Sequence, residues 1–317
     1  MKQKIWKRIF TVIITVLVMV FAVGCSQPAI SNNVSKESGN GINESTNVEK
    51  SSENNSSPSN ASSVNGKLKV HYINVGQGDS ILVQQGDKNM LIDAGTNAST
   101  SSLISYLRSQ DIKKIDYLVL THPHEDHIGG ADAVIKTFDI GSIYMPKVTA
   151  NTATFRDVAK AMNAKGLKAT VPVPGTNFNL GQAACDILGP VKTVSGDLNT
   201  YSIVIKVSFG NNKFLFTGDA QSSNERDMIN KGFDLSADVL KVGHHGSHTS
   251  TSQNFLDKVN PKYAVISCGV NNDYGHPHKE TMDRLKRMNI TVYRTDKSGT
   301  IVAESDGKNI KWSNVTR

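Results

Sequence analysis

Three histidines and an aspartate that could bind a metal fall within six residues of this chain, at His122, His124, Asp126 and His127. They come directly after the apolar run 115–120, which has the length and composition of a β-strand. A strand that ends in a tight turn would fan these side chains around one point. Imidazole and carboxylate are the usual ligands of a borderline divalent ion such as zinc. The alternative is a surface loop that is merely rich in histidine, and the downstream sequence argues against it.

Two further carboxylates stand where other apolar runs end. Asp219 closes the run 214–218, and Asp93 closes the run 90–92. A rigid strand below Asp219 and the neighbouring Gly218 would suit a carboxylate that approaches a metal closely. Asp93 is expected to orient a histidine rather than to bind the metal itself.

A pair of adjacent histidines, His244 and His245, follows the run 239–243. On an extended backbone, adjacent side chains point in opposite directions, so only one of the two should reach a metal. We favour His244 as the ligand because it is the first residue after Gly243.

The sequence around these groups alternates between strand and helix patterns. Strands are predicted at 68–75, 80–84, 89–93, 115–120, 141–145, 203–209, 213–217, 239–242, 263–267 and 291–294. Helices are predicted at 99–110, 131–138, 155–165, 224–230, 252–259 and 279–288. This order fits an α/β fold with two packed sheets and helices outside them, a four-layer αββα sandwich.

The first 66 residues have a different composition. Residues 1–24 join a basic start to a short apolar run, as a secretory signal does. Cys25 follows Ala22-Val23-Gly24, which resembles the lipobox of bacterial lipoproteins, so we expect lipidation of Cys25 and attachment to the extracytoplasmic face of the cell membrane. An uncleaved N-terminal anchor is the alternative. Residues 25–66 are predicted to be a disordered tether, because Ser and Asn fill 21 of the 41 positions from 26 to 66.

Residues 67–317 are long enough for one large α/β domain. Of the formal net charge of +7 at pH 7, +5 falls on this domain. That surplus permits a polyanionic substrate but is too small to argue for one. Cys185 and Cys268 are too few for a disulfide framework, so we expect buried free thiols.

Six segments of the domain together resemble the metallo-β-lactamase superfamily and, within it, the extracytoplasmic domain of the ComEC competence proteins and their stand-alone relatives. They are 74–80 (NVGQGDS), 91–95 (LIDAG), 121–130 (THPHEDHIGG), 215–219 (LFTGD), 240–247 (LKVGHHGS) and 274–278 (YGHPH). The resemblance implies a metal-dependent hydrolase with two divalent ions, either zinc or manganese. By the same resemblance, the first ion is held by His122 and His124, the second by Asp126, His127 and His244, and Asp219 bridges the two.

The chain departs from the superfamily at one point. Its members usually carry another histidine between the histidine motif and the bridging aspartate, but none lies between His127 and His244 here. ComEC-like sequences resemble the segment 197–202 instead, with an Asn-x-x-Ser element in which Asn199 stands near the first ion. An amide is a poorer ligand than an imidazole, so we expect the first site to be weaker and to tilt toward manganese.

Other polar residues are assigned places around the site. Asp79 is expected near it, at the turn 76–79, and His245 beside it. His276 and His278 flank Pro277 before a helix and are expected to face substrate, although a structural role in the loop is the alternative. We assign catalysis to the following residues: Asp126, Asp219 and, as the group that protonates the leaving group, His278. His71 and His248 are interpreted as ordinary surface or packing residues.

These expectations combine into a lipid-anchored, extracytoplasmic metallohydrolase. Two divalent ions suit phosphodiester hydrolysis, and the ComEC resemblance favours a nuclease that acts on DNA. Hydrolysis of another ester, such as a phosphocholine or teichoic-acid ester or a lactone, is the alternative within the enzymes. A non-catalytic binder that captures polyanions through its metal site is the alternative outside them. The membrane, through Cys25, and DNA are the expected partners, and the sequence indicates no protein partner.

Overall fold

The structure is a computed structural model that describes residues 64–314. The predicted signal segment, Cys25 and the tether up to residue 63 lie outside the described residues. None of the helices within 64–314 has the length and apolar character that a membrane span requires.

Fifteen strands and eight helices form from the described residues. The strands are β1 (Leu68–Tyr72), β2 (Ile81–Gln85), β3 (Lys88–Ile92), β4 (Lys114–Val119), β5 (Asp139–Tyr144), β6 (Ala169–Thr170), β7 (Asn177–Leu180), β8 (Ala183–Gly189), β9 (Val204–Phe209), β10 (Asn212–Phe216), β11 (Val239–Lys241), β12 (Tyr263–Ile266), β13 (Thr291–Arg294), β14 (Ile301–Ser305) and β15 (Ile310–Ser313). The helices are α1 (Thr100–Ser109), α2 (Glu125–Ile128), α3 (Ala131–Thr137), α4 (Ala153–Ala164), α5 (Ser222–Asn230), α6 (Gln253–Val259), α7 (Lys279–Arg287) and α8 (Thr295–Ser298).

The strands make two sheets. One has eight strands in the order β15-β14-β1-β2-β3-β4-β5-β6, and the other has seven in the order β13-β12-β11-β10-β9-β8-β7. Strands β3 to β6 run parallel in the first sheet, and β10 to β13 run parallel in the second. The remaining pairings are antiparallel.

Three apolar cores separate four layers. In β2, Ile81 and Val83 enter the core between the sheets, whereas Leu82 packs under helices α1, α3 and α4. In β10, Phe214 enters the central core and Leu215 packs under α5, α6 and α7. Successive side chains of a strand point to opposite faces, so each central strand contributes side chains to two cores. This is the predicted αββα sandwich.

The structure also corrects the strand assignment. The sequence patterns missed β6, β7, β8, β14 and β15, which lie at or near the ends of the sheets. Strand β14 pairs with β1, where Leu68 faces Ser305, so its place depends on contacts far apart in sequence. The first strand also ends at Tyr72 rather than at residue 75, because Ile73 and Val75 turn into the core under the helices.

Cys185 and Cys268 are buried free thiols, as predicted. Burial raises the pKa of each thiol to about 12, so both side chains behave as small apolar groups.

Candidate metal centre

The candidate centre lies where strands of both sheets end. Asp93 follows β3 and Thr121 follows β4, while Asp219 follows β10 and His244 follows β11. Because β3 and β4 are parallel, and β10 and β11 are parallel, the carboxyl ends of each pair lie at one edge of its sheet. Such edges are where open α/β sheets place their sites.

Asp93 orients the first histidine of the centre. Its Oδ2 accepts a hydrogen bond from His127 Nδ1 at 2.8 Å and another from Thr121 Oγ1 at 2.7 Å, and its Oδ1 accepts from Thr121 N at 2.7 Å. Because Nδ1 donates to Asp93, Nε2 is the nitrogen of His127 that faces the site and is available to a metal.

His127 Nε2 lies close to ligand atoms of three other side chains. We call the group of four the buried cluster: Asp126, His127, Asp219 and His245. His127 Nε2 lies 3.3 Å from Asp219 Oδ1 and 3.8 Å from Asp126 Oδ2. His245 Nε2 lies 3.2 Å from Asp126 Oδ2 and 3.5 Å from Asp219 Oδ1. A tetrahedral ion with ligands at about 2.0–2.2 Å sets its ligands roughly 3.3–3.6 Å apart. The spacing of the buried cluster therefore fits one such ion.

Unpartnered atoms within the buried cluster support the same fit. His127 Nε2, His245 Nε2 and Asp219 Oδ1 are buried and have no hydrogen-bond partner among the described residues. Buried polar atoms without a partner cost free energy. A divalent ion would satisfy all three atoms at once.

A second group, the outer cluster, contains His122, His124 and the same Asp219. His122 Nε2 lies 3.0 Å from His124 Nδ1 and 3.8 Å from Asp219 Oδ2. Asp219 thus turns Oδ1 to the buried cluster and Oδ2 to the outer cluster. One carboxylate in this position could bridge two ions.

The structure corrects the choice between His244 and His245. His245 belongs to the buried cluster, whereas His244 Nε2 lies 3.6 Å from Asp219 Oδ2, on the side of the outer cluster. The backbone is not extended there: His244 has φ 50° and ψ 49°, and His245 has φ 52° and ψ 21°. Alternation of side chains does not hold in this left-handed turn, so the Nε2 atoms of both imidazoles lie within 3.6 Å of an Asp219 carboxylate oxygen.

His245 is held by groups from other strands. Its Nδ1 donates to Ser267 O at 3.0 Å, at the end of β12, and lies 3.4 Å from Asp79 Oδ1. A carbonyl oxygen can only accept, so the Nδ1 of His245 carries the proton and Nε2 is left for a metal.

Asp79 forms a fully buried ion pair with Lys241. Lys241 Nζ lies 2.8 Å from Asp79 Oδ2 and donates to Val242 O at 3.0 Å. Neither side chain is more than 1% exposed. Burial raises the pKa of Asp79, but Lys241 and His245 outweigh it and hold that pKa below its ordinary value. Asp79 therefore lies behind the centre as a permanent carboxylate.

The electrostatics of the buried cluster favour a cation. Burial lowers the pKa of His127, but Asp219, Asp126 and Asp93 outweigh it and raise the pKa well above its ordinary value. Burial raises the pKa of Asp219, but His127 and His245 lower it far more. The carboxylates thus concentrate negative charge in a desolvated space, where positive charge is strongly held.

Ser202 contributes a contact that sequence reasoning missed. Its Oγ lies 3.3 Å from His122 Nδ1 and accepts a hydrogen bond from Asp219 N at 3.1 Å. Asn199, predicted beside the first ion, belongs to the 3-10 turn Leu198–Tyr201 that leads into Ser202, and its buried Oδ1 has no hydrogen-bond partner among the described residues. The Asn-x-x-Ser segment thus reaches both His122 and Asp219 through its serine.

The centre opens into a cavity of about 330 Å³. Its lining includes four candidate ligands: Asp126, Asp219, His244 and His245. The other lining residues are Gln77, His124, Glu125, Tyr274 and His276. A space of this size admits one substrate group beside the metal ligands.

The structure corrects the role predicted for His278. It does not line the cavity; its Nδ1 lies 2.9 Å from His248 Nδ1, and its Nε2 donates to Tyr274 O at 3.1 Å. His278 therefore holds the adjacent loop together with His248. Of the two histidines that flank Pro277, it is His276 that lines the cavity, and its ring centroid lies 5.5 Å from that of His244. Burial, followed by the neighbouring His245 and His244, lowers the pKa of His276 to about 4.

Some of the missed residues left a signal in the sequence. Lys241 is a lysine within the apolar strand β11, and a charge in a buried strand requires a buried partner. Ser202 ends the Asn-x-x-Ser element, but the sequence assigned it no role, because its contacts come from residues 80 and 17 positions away.

Comparison with known families places this geometry among known proteins. A family model described as the metallo-beta-lactamase superfamily matches residues 73–270. Among solved structures, the metallo-beta-lactamase fold protein YhfI from Bacillus subtilis superposes with a TM-score of 0.51 at 18% identity, covering 76% of this chain and all of that one. That likeness concerns the fold.

Curated relatives share more sequence. The chain is 34% identical to ComE operon protein 3 of Bacillus subtilis over 253 residues, which cover 74% of this chain and 32% of the relative. It is also 34% identical to competence protein ComA of Neisseria gonorrhoeae over 228 residues, covering 71% of this chain and 30% of that one. The chain thus spans about a third of the length of these relatives.

Proposed function

The chain belongs to the metallo-beta-lactamase superfamily, and from this premise we propose that it is a metal-dependent hydrolase of phosphodiester bonds that acts on DNA. One observation carries the proposal: Asp219 turns one oxygen to the buried cluster and the other to the outer cluster, at the floor of an open cavity. A centre that binds two ions suits phosphodiesters, because paired ions stabilise both the attacking and the leaving oxygen. The resemblance to ComEC competence proteins favours DNA over other esters, and the similarity to competence protein ComA is consistent with that resemblance.

Each ligand has a distinct part in this proposal. Asp126, His127 and His245 would hold one divalent ion and His122 and His124 the other, with Asp219 between them; zinc and manganese both suit these ligands. When bound, such ions acidify water and stabilise the charge that develops on phosphate oxygens. Asp93 and Ser267 O keep the Nδ1 protons of His127 and His245 in place. His276, neutral near pH 7, contributes a hydrogen-bonding group at the cavity wall.

The outer cluster should hold its ion more weakly. It contributes two imidazoles besides Asp219, whereas the buried cluster contributes two imidazoles and Asp126. His124 is also half-buried, while His127 and His245 are buried. His244 Nε2 lies 3.6 Å from Asp219 Oδ2 but does not converge with His122 and His124 closely enough to belong to this cluster.

We expect the purified protein to contain about one to two transition-metal ions per chain. Elemental analysis measures the content directly. Replacing His122 and His124 together by alanine should remove one ion and spare the buried cluster, whereas His245→Ala should deplete that cluster. His248→Ala is the matched control, because its imidazole lies outside both clusters. Metal-free wild-type protein, prepared without chelator, would contradict the proposal.

Activity is tested on a panel of single-stranded DNA, duplex DNA, a phosphocholine ester and a lactone, with zinc and with manganese. We expect turnover of DNA that a chelator abolishes and that added metal restores. Turnover confined to the phosphocholine ester or the lactone would keep the metal centre and reject the nuclease. Stoichiometric metal without turnover of any substrate would identify a binding protein instead.

Attachment to the extracytoplasmic face of the membrane through lipidated Cys25 is part of the proposal, supported by the lipobox-like Ala22-Val23-Gly24 before it. Cys25→Ala should release the protein from the membrane fraction or leave the precursor uncut, as judged by fractionation and electrophoretic mobility. Cys185→Ala, which alters a buried thiol of the domain, is the control. A Cys25→Ala protein that fractionates and migrates as the wild type does would favour an uncleaved anchor.

A further inference from the structure

An exposed aromatic ring lies at the edge of the candidate cavity. Tyr274 lines the cavity and yet is 66% exposed, which is unusual for a side chain of its size. One face of its ring stacks on His276, with centroids 5.6 Å apart and planes 18° from parallel. His276 in turn lies beside His244 and His245. The ring therefore extends a stack that begins at His245, in the buried cluster, and ends in solvent.

The loop that carries Tyr274, residues 267–278, is held from several directions. Asn272 Nδ2 donates to Gly269 O at 3.0 Å and to His276 O, while His276 N donates to Asn272 Oδ1 at 2.9 Å. Gly269 N donates to Gln77 Oε1 at 3.0 Å, which ties the loop to the turn before β2. With His278 Nε2 bonded to Tyr274 O, the backbone that carries the ring is held before any ligand arrives, and the ring itself stacks on His276. A pre-positioned ring loses little entropy when it is covered.

From these contacts we propose that Tyr274 is a stacking subsite for an unpaired nucleobase next to the bond that is cleaved. The inference rests on the proposed function and deepens it, because it selects single-stranded nucleic acid or a frayed end over intact duplex. Every nucleobase has a π-face, so an aromatic ring binds bases without reading their sequence. In a duplex those faces are already covered by neighbouring base pairs, and only an unstacked base can cover the ring.

The size of the cavity agrees with this occupant. A volume of about 330 Å³ suits roughly one nucleotide, with its phosphate at the metal ligands and its base at the rim. Val270, 67% exposed on the same loop, does not line the cavity. The lining around Asp219 is polar, and Tyr274 adds one exposed aromatic ring to it.

The test compares Tyr274→Ala, Tyr274→Phe and Val270→Ser in the full protein. Substrates are a single-stranded DNA oligonucleotide, the same strand as a duplex, and an abasic strand of equal length and charge. We expect Tyr274→Ala to raise KM for the single strand about 5- to 150-fold, with little change in kcat. Tyr274→Phe should stay near wild type because it keeps the ring, and Val270→Ser is the control for an exposed change in the same loop. The abasic strand and the duplex should be insensitive to Tyr274→Ala.

A second measurement separates this inference from the proposed function. Fluorescence anisotropy of the labelled strands, with phosphorothioate linkages to slow cleavage, reports binding whether or not the protein turns over any phosphodiester. If Tyr274→Ala binds the base-bearing strand more weakly than the wild type does, but binds the abasic strand equally well, the subsite is supported even where hydrolysis fails. Equal binding and equal KM in Tyr274→Ala and wild type would overturn the subsite and leave the hydrolase standing. An equal loss on the abasic strand would also overturn it, because the ring would then serve the backbone rather than the base.

Discussion

Replacement of Asp219 by alanine should lower turnover on the order of 10³-fold or more and should also lower the metal content. Asp219 is the one carboxylate shared by both clusters, so its loss removes a ligand from each. It also leaves His127 Nε2 and His245 Nε2 with Asp126 alone of the two carboxylates that they share. Turnover of single-stranded DNA at saturating metal, with metal content from elemental analysis, measures both effects.

The fold should survive this change. Asp219 follows the end of β10 and belongs to none of the three apolar cores, so the circular dichroism spectrum with chelator present should match that of the wild type. Asp273→Ala is the matched control, because it removes an exposed carboxylate from the loop beside the cavity. Full turnover in Asp219→Ala at matched metal and salt would exclude a mechanism that depends on a bridging carboxylate.

Replacement of Lys241 by methionine should lower the free energy of unfolding by about 3–5 kcal/mol, the cost of leaving one partner of a buried ion pair uncompensated. The change removes the charged partner of Asp79. It does not open a large cavity, because lysine and methionine both have long, unbranched side chains. That loss is a large fraction of the stability of an ordinary domain. Urea unfolding, with metal held constant, measures it.

The source of that loss can be isolated. Adding Asp79→Asn to Lys241→Met should recover part of the stability, because the buried carboxylate is then neutral. Lys262→Met is the matched control: Lys262 pairs with Asp238 at 3.1 Å, but its side chain is 75% exposed, so its loss should cost under about 1 kcal/mol. A Lys241→Met protein within that same range would mean that the buried pair does not stabilise the fold.

Much of the fold followed from local pattern. Apolar runs such as 89–93 and 213–217 alternate between two cores, and they are buried on both faces because helices cover each sheet. The sequence did not reveal β14 and β15. Strand β14 is stabilised by pairing with β1, more than 200 residues earlier, and a pattern read within a short window cannot contain that partner.

The sequence by itself determined which side chains are candidates for the metal centre, because polar groups placed just after apolar strands must lie where those strands end. His122, after β4, and Asp219, after β10, are of this kind. Tertiary structure alone decided which of two neighbouring imidazoles joins the buried cluster, since the left-handed turn at His244 and His245 overrides alternation. It also decided that His278 holds a loop while His276 and Tyr274 line the cavity, and that Lys241 neutralises Asp79. These roles depend on hydrogen bonds and charges that reach a residue from distant elements, and spacing along the chain carries no record of them.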